Sequence, residues 1–299
     1  MNNEKIKMLL EVAPEAMLVV DSQGKIILVN AQCEKFFGYP RDELLGQLVE
    51  ILVPDELRDI HTQHRQKYTL NPTIRPMGSG TYLKARRKDG SLVAVDISLS
   101  PLQDKDGLII TAMIHDITKH RQLEEKLKQL AEHDNLTGLI NRSLLNDRIS
   151  QAIVLAKRHK YFIAILFLDL DNFKNVNDTY GHAVGDLLLC AAAKRMQGCI
   201  RDSDTLARIS GDEFAFLLTE IKEENTVMDL AKKILNCFTS DFLIDNKKLS
   251  VTVSIGVSLY PKDGVDHCSL LEKADIAMYY AKKHGKSSFK LFDDMPAVE

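Results

Sequence analysis

Seven consecutive apolar residues, 162–168, run without a break into Asp169-Leu170-Asp171. The run is far short of the roughly 20 residues a membrane-spanning helix needs. It also lacks the alternation of a strand with one wet face, so it predicts a strand buried on both sides, in a sheet with helices packed against it. Such a strand delivers its carboxylates to the end of a sheet. A second acidic string, Ser210-Gly211-Asp212-Glu213-Phe214, lies between the short, largely apolar runs 205–209 and 214–218, as the turn of a hairpin does. If the two strands are neighbours, Asp169 converges with Asp212 and Glu213, and those negative charges call for a hard cation between them. Mg²⁺ suits, because it takes oxygen ligands and shares its shell with substrate phosphates. Asp212 alone would read as an ordinary turn acid; the constellation does not.

The surrounding pattern sets the architecture. From residue 134 onward the rhythm is helix, strand, helix, hairpin, helix, strand, helix, an α/β arrangement. Val251, Val253, Ile255, Val257 and Leu259 alternate with polar or small residues, which predicts a strand with one well-buried face. Leu270, Leu271, Ala274, Ala277, Met278 and Ala281 form a helical stripe that ends beside Lys282, Lys283 and Lys286.

The first 118 residues differ. Turn signals at Ser22-Gln23-Gly24, Lys88-Asp89-Gly90 and Asp104-Lys105-Asp106-Gly107 divide short strand-like runs, predicting a small, mostly antiparallel sheet. A hairpin is expected over 16–21 and 25–30, short helices over 31–72, and strands over 81–88, 91–100 and 108–116. Leu123, Leu127 and Leu130 then mark one face of a linker helix, a narrow seam flanked by mixed charge that would pair with a copy of itself. The expected domains are 5–118, the linker 119–133, and 134–295.

Composition narrows the function. With 299 residues, 45% hydrophobic and 27% charged, the chain has the make-up of a two-domain globular protein and not of a disordered one. A net charge of −3 and the absence of tryptophan leave no basic, aromatic stripe for nucleic acid. The polar start Met1-Asn2-Asn3-Glu4-Lys5 is no export signal, so no membrane partner and a cytoplasmic location are expected. Cys33, Cys190, Cys199, Cys237 and Cys268 are scattered, with no C-x-x-C pair, and read as small buried residues rather than a disulfide framework or zinc site.

Residues 169–186, with Ser210-Gly211-Asp212-Glu213-Phe214, closely resemble the GGDEF family of diguanylate cyclases. Asp134-Asn135-Leu136-Thr137-Gly138-Leu139-Ile140-Asn141-Arg142, Ala274-Asp275-Ile276-Ala277-Met278-Tyr279 and Ala281-Lys282-Lys283-His284-Gly285-Lys286 extend the match in the family's order. The resemblance implies a palm-like fold with a ferredoxin-like βαββαβ core, and condensation of two GTP into cyclic di-GMP with release of two pyrophosphates. It implies two Mg²⁺ ions on Asp169, the backbone carbonyl of Leu170 and Asp212, with Glu213 beside them. Asp212 and Glu213 would be catalytic, Asp212 accepting the 3′-hydroxyl proton. Asn177 and Asp186 match guanine-reading positions, a carboxylate being able to accept from two guanine N–H groups. His182 falls in the same loop. Phe173, Lys174, Lys282 and Lys286 complete the substrate-binding set, the lysines as point charges on phosphates.

A two-fold symmetric product built from one GTP per site requires a dimer. Arg201-Asp202-Ser203-Asp204 matches the family's R-x-x-D product-inhibition site through Arg201 and Asp204. Three positions depart from the family pattern: Ser210 replaces its first glycine, Ile140 a usual proline, and Lys286 a frequent arginine. None removes a metal ligand, so an active cyclase is favoured over a silent module that binds GTP or cyclic di-GMP and acts by protein contact.

Residues 21–30, Phe37-Gly38-Tyr39 before Glu43-Leu44-Leu45-Gly46, Arg87-Lys88-Asp89-Gly90-Ser91 and His115-Asp116-Ile117-Thr118 resemble a PAS domain, a five-stranded antiparallel sheet with helices. The implied logic is a homodimer through PAS and linker helix, in which a sensory ligand resets the pairing of two cyclase domains. His61 lies where haem-binding PAS domains place their proximal histidine, which makes it the candidate sensory ligand, with haem or a capped, solvated histidine as the alternatives. Cys33 does not sit in a flavin-adduct motif.

Overall fold

Asp21 turns the chain: its Oδ1 accepts the amides of Gln23 and Lys25, each at 2.9 Å. In the computed structural model this closes the antiparallel hairpin of β1 (Ala16–Asp21) and β2 (Ile26–Val29). The structure describes residues 8, 10–77, 83–104 and 107–295. The chain divides into two units, Met1–Lys126 and Leu127–Glu299.

In the first unit, the wholly buried Asn30 satisfies its amide completely. Its Oδ1 accepts from Met17 and Cys33, and its Nδ2 donates to the carbonyls of Leu10 and Glu15. It thereby caps α1 (Ala31–Phe37) and pins that helix to β1. α2 (Arg41–Leu44), 3₁₀ turns at Val49–Leu52 and Asp55–Leu57, and α3 (Arg58–Leu70) are the short helices expected over 31–72. β3 (Arg75–Pro76), β4 (Leu83–Arg86), β5 (Leu92–Asp104) and β6 (Gly107–Asp116) complete an antiparallel sheet in the order β2-β1-β6-β5, with β4 and the two-residue β3 both paired to β5. Leu18, Ile26, Phe37, Leu44, Val95 and Ile114 lie in its core. The strand start at residues 81–82, the turn residues Lys105 and Asp106, and the domain start at residue 5 lie outside the described residues. α4 (Thr118–Glu132) has no buried residue, and Leu123, Leu127 and Leu130 are 52%, 65% and 47% exposed.

The second unit runs α5 (Arg142–His159), β7 (Phe162–Leu170), α6 (Phe173–Tyr180), α7 (His182–Gln197), β8 (Thr205–Ser210), β9 (Glu213–Ile221) and α8 (Glu224–Cys237). The small hairpin of β10 (Phe242–Ile244) and β11 (Lys247–Leu249), then β12 (Val253–Tyr260), α9 (His267–Lys283) and β13 (Phe289–Leu291) follow. The sheet order is β13-β12-β7-β9-β8, with β7 antiparallel to both neighbours. This is the expected βαββαβ core, extended by β13 in parallel with β12.

β7 is buried on both faces from Ile163 onward, as its apolar run predicts. Ala164, Leu166 and Leu168 join the core that contains Leu188 and Ala192 of α7 and Ile234 of α8. Ile163, Ile165 and Phe167 pack on the other side with Leu145 and Ile149 of α5 and Leu270, Ala274 and Met278 of α9.

β12 has the expected well-buried face and a second one besides, since all eight of its residues are buried. Its small, polar positions face a helix and not solvent. Ser258 donates to the carbonyl of Leu270, and a Cβ on Gly256 would fall 2.0 Å from the carbonyl oxygen of Ala274 and 2.1 Å from the amide of Met278. The row Ser254, Gly256, Ser258 is the groove that lets α9 lie against the sheet. Among the described residues no helix is long and apolar enough to cross a membrane.

Candidate active site

Strand alternation places Asp169 on the α9 face of the sheet, two positions beyond Phe167. Because α9 lies close there, Lys282 in its last turn donates to Asp169 Oδ1 at 2.6 Å. Asp169 is only 7% exposed. Burial raises its carboxyl to about 6; the Lys282 bond opposes that rise, and the nearby charges of Asp212 and Asp171 add to it. Burial likewise disfavours charge on Lys282, but Asp169 and then Asp212 outweigh it and hold the ammonium above its ordinary value.

The turn between β8 and β9 brings the second acidic string to the same place. The Leu170 amide donates to the Asp212 carbonyl at 3.2 Å, and Asp169 and Glu213 are direct cross-strand partners. Gly211 has φ +49°, in the left-handed region that favours glycine, whereas Ser210 is not in that region and replaces a glycine without backbone strain. The Ser210 hydroxyl donates to Glu213 Oε2 at 2.6 Å. Burial also raises the Asp212 carboxyl, against its own backbone amide and Lys282.

One residue holding this turn was not singled out in the sequence. Arg208 donates from Nε and Nη2 to the Gly211 carbonyl, at 2.9 and 2.7 Å, and from Nη1 to both oxygens of Asp134, at 3.0 and 3.1 Å. Asp134 in turn accepts the amide and hydroxyl of Thr137. The available signal was an arginine two positions ahead of one motif and an unpaired acid opening another. Ile140, where proline is usual, is buried and gives its carbonyl to the Arg208 amide. Asn141 caps α5 through the Leu144 amide and donates to the Ala131 carbonyl in the last turn of α4.

The two acids of the first string differ in role. Asp171 is 1% exposed and accepts from the hydroxyls of Thr252 and Ser254 and the amide of Ser287. It is fully engaged in joining the end of β7 to β12 and to the segment after α9.

The remaining candidates fall as follows. Phe173 opens α6 with its ring turned toward the core, where it packs with residues of α7. Lys174 beside it is exposed, as are His182 and Asp186 in the first turns of α7. Asn177 Oδ1 is buried with no hydrogen-bond partner among the described residues, and a Cβ on Gly185 would lie 1.9 Å from it. Lys286 donates to Asn172 Oδ1 at 2.8 Å. Arg201 is exposed in the turn after α7, where its carbonyl accepts the Asp204 amide. In the first unit, His61 Nδ1 lies 2.9 Å from Oε1 of the buried Glu50, and Arg65 Nε donates to the same oxygen. The imidazole thus has a structural partner, which lends haem no support. Among the described residues no three His, Cys, Asp or Glu side chains converge to hold a metal by themselves.

The family description "Diguanylate cyclase, GGDEF domain" matches residues 131–288, and "PAS fold" matches residues 4–117. The chain belongs to the GGDEF diguanylate cyclase family, with a PAS domain ahead of the cyclase domain. The bifunctional diguanylate cyclase/cyclic di-GMP phosphodiesterase MucR of Pseudomonas aeruginosa is 44% identical over 176 residues, covering 59% of this chain and 26% of MucR. The crystal structure of the GGDEF domain of TpbB (YfiN) from Pseudomonas aeruginosa is 38% identical, with a TM-score of 0.51, covering 52% of this chain and 97% of that one. The coiled coil and GGDEF domain of DgcB from Caulobacter crescentus, solved with c-di-GMP, is 26% identical with a TM-score of 0.53, covering 58% of this chain and 93% of that one. The chain spans about a fifth to two fifths of the length of the curated relatives it matches.

Proposed function

We propose that this chain is a sensor-regulated diguanylate cyclase, joining two GTP molecules into cyclic di-GMP in a dimer. The observation that carries the reading is the meeting of two distant acidic strings, through the Leu170 amide on the Asp212 carbonyl and the pairing of Asp169 with Glu213.

The donor set fits Mg²⁺. Asp169, the Leu170 carbonyl and Asp212, with Glu213 beside them, offer oxygen alone, and two carboxyls raised by burial and by neighbouring acids gain from a cation. Mg²⁺ needs no closed protein cage, because it usually takes one or two carboxylates and leaves the rest of its shell to water and phosphate. When bound, two such ions would neutralise charge on the α-phosphate and pyrophosphate and make the 3′-hydroxyl more acidic. The protein's part is to bind and orient. Asp212 would accept the hydroxyl proton. Lys282 holds Asp169 in place through its ammonium. Lys174 would meet phosphate, and Asn177 and Asp186 the guanine edge, whose N–H groups match the unpartnered Asn177 Oδ1. Arg201 and Asp204 would bind product and limit its build-up.

Incubating the purified chain with GTP and Mg²⁺ and separating the nucleotides tests this. Cyclic di-GMP should form and should vanish in Asp212→Asn. Binding of GTP without turnover by a demonstrated dimer would instead favour the silent signalling module.

A further inference from the structure

Two of the five scattered cysteines meet in space. Cys199 follows α7 and Cys237 ends α8, and their Sγ atoms lie 2.8 Å apart as free thiols. The covalent separation in a disulfide is about 2.05 Å. The chain on both sides is clamped: Arg195 Nη1 donates to the carbonyls of Cys237 and Ser240 at 2.9 and 2.7 Å, and Lys233 Nζ to the carbonyl of Cys199 at 2.8 Å. Arg195 also lies over the Phe242 ring, 3.5 Å from its centroid. Cys199 is 5% exposed, whereas Cys237 is partly open to solvent.

We propose that Cys199 and Cys237 form a reversible dithiol–disulfide site, oxidised by exchange with a small-molecule disulfide. The Cys237 thiolate attacks one sulfur of that disulfide and expels its other half, which takes up a proton. The Cys199 sulfur, giving its proton to solvent, then attacks the Cys237 sulfur and expels the second half as a thiol. Two protein thiols are oxidised to one disulfide, and one small disulfide is reduced to two thiols. Access sets this order, because a small molecule reaches Cys237 first. Burial, with the Cys237 sulfur alongside, pushes the Cys199 thiol well above its ordinary value, which makes it a poor first nucleophile and suits it to the resolving step. The bond would fasten the base of the turn carrying Arg201 and Asp204 to α8.

The test reads sulfur chemistry and is independent of turnover. The reduced full chain is incubated with oxidised glutathione, quenched by alkylation, and its peptides are mapped by mass spectrometry without reduction. The expected result is a linked Cys199–Cys237 peptide pair that dithiothreitol reopens. Exposed Cys268 carries a glutathione adduct, which reports that the oxidant was competent. Cys199→Ser should leave Cys237 as a stable mixed disulfide, and Cys237→Ser should leave Cys199 unreacted. Both cysteines alkylated beside a modified Cys268, or Cys237 halted at the adduct in the unaltered chain, would overturn the proposal.

Discussion

Arg208 joins the two motif strings that the sequence presents separately. Its guanidinium fixes the Gly211 carbonyl, and with it the turn that presents Asp212, to Asp134 at the start of the cyclase domain. Arg208→Ala should cost about 1–3 kcal/mol, as loss of a partly buried charged hydrogen-bonding group does. It should also lower turnover at least ~10-fold, because small displacements of a reacting group are costly. Denaturant midpoint and kcat check both, and an unchanged kcat would remove Arg208 from any positioning role. In the first unit, burial opposes ionisation of Glu50, but Arg65 and then His61 prevail and hold its carboxyl below the usual 4.5. A lowered carboxyl contributes stability above its unfolded value and loses it as pH falls through the folded value. Glu50→Gln should therefore be less stable than the parent at pH 7, and the difference should shrink below about pH 4 in acid titrations of unfolding. A difference that is constant with pH would show that the cluster acts through packing alone.

At the scale of elements, β12 and α9 explain how a lysine reaches a buried aspartate. The binary pattern of β12 was legible as one well-buried face, but the burial of its small residues was not, because nothing local distinguishes a serine under water from a serine under a helix. β10, β11 and β13, each three residues long, were missed because so short a run carries little periodicity. By contrast β7, the β8–β9 turn, the first hairpin and the linker helix were readable from apolar runs and turn chemistry. The linker α4 carries its own prediction. Leu127 is 65% exposed, so Leu127→Glu should leave the fold of the chain unchanged by circular dichroism while abolishing dimers in sedimentation. Cyclic di-GMP formation should fall at least ~10-fold with it, since each product needs two sites. A dimer of full activity would move the pairing surface elsewhere.

For the whole molecule, the site was legible to the extent that motif strings name residues and not their partners. Asp169, Asp212 and Glu213 were visible in the sequence. The Lys282 bond to Asp169, the retirement of Asp171 into a buried network and the meeting of Cys199 with Cys237 depend on segments brought together from 38 to 116 residues apart. On the proposed function, Asp169 is kept ionised in a costly place for the sake of a cation and a nucleotide. Such a group is a stability loss held for function. The most direct measurement is Asp169→Asn, assayed together for thermal unfolding without Mg²⁺ and for cyclic di-GMP formation with it. Because the folded state raises this carboxyl to about 6, the ionised form opposes folding above that pH, so at pH 7.5 the variant should unfold at the same temperature as the parent or higher. Its turnover should drop at least ~10²-fold, the scale of losing one preorganised electrostatic group at the reacting centre. A variant that retains the parent's turnover would contradict the account.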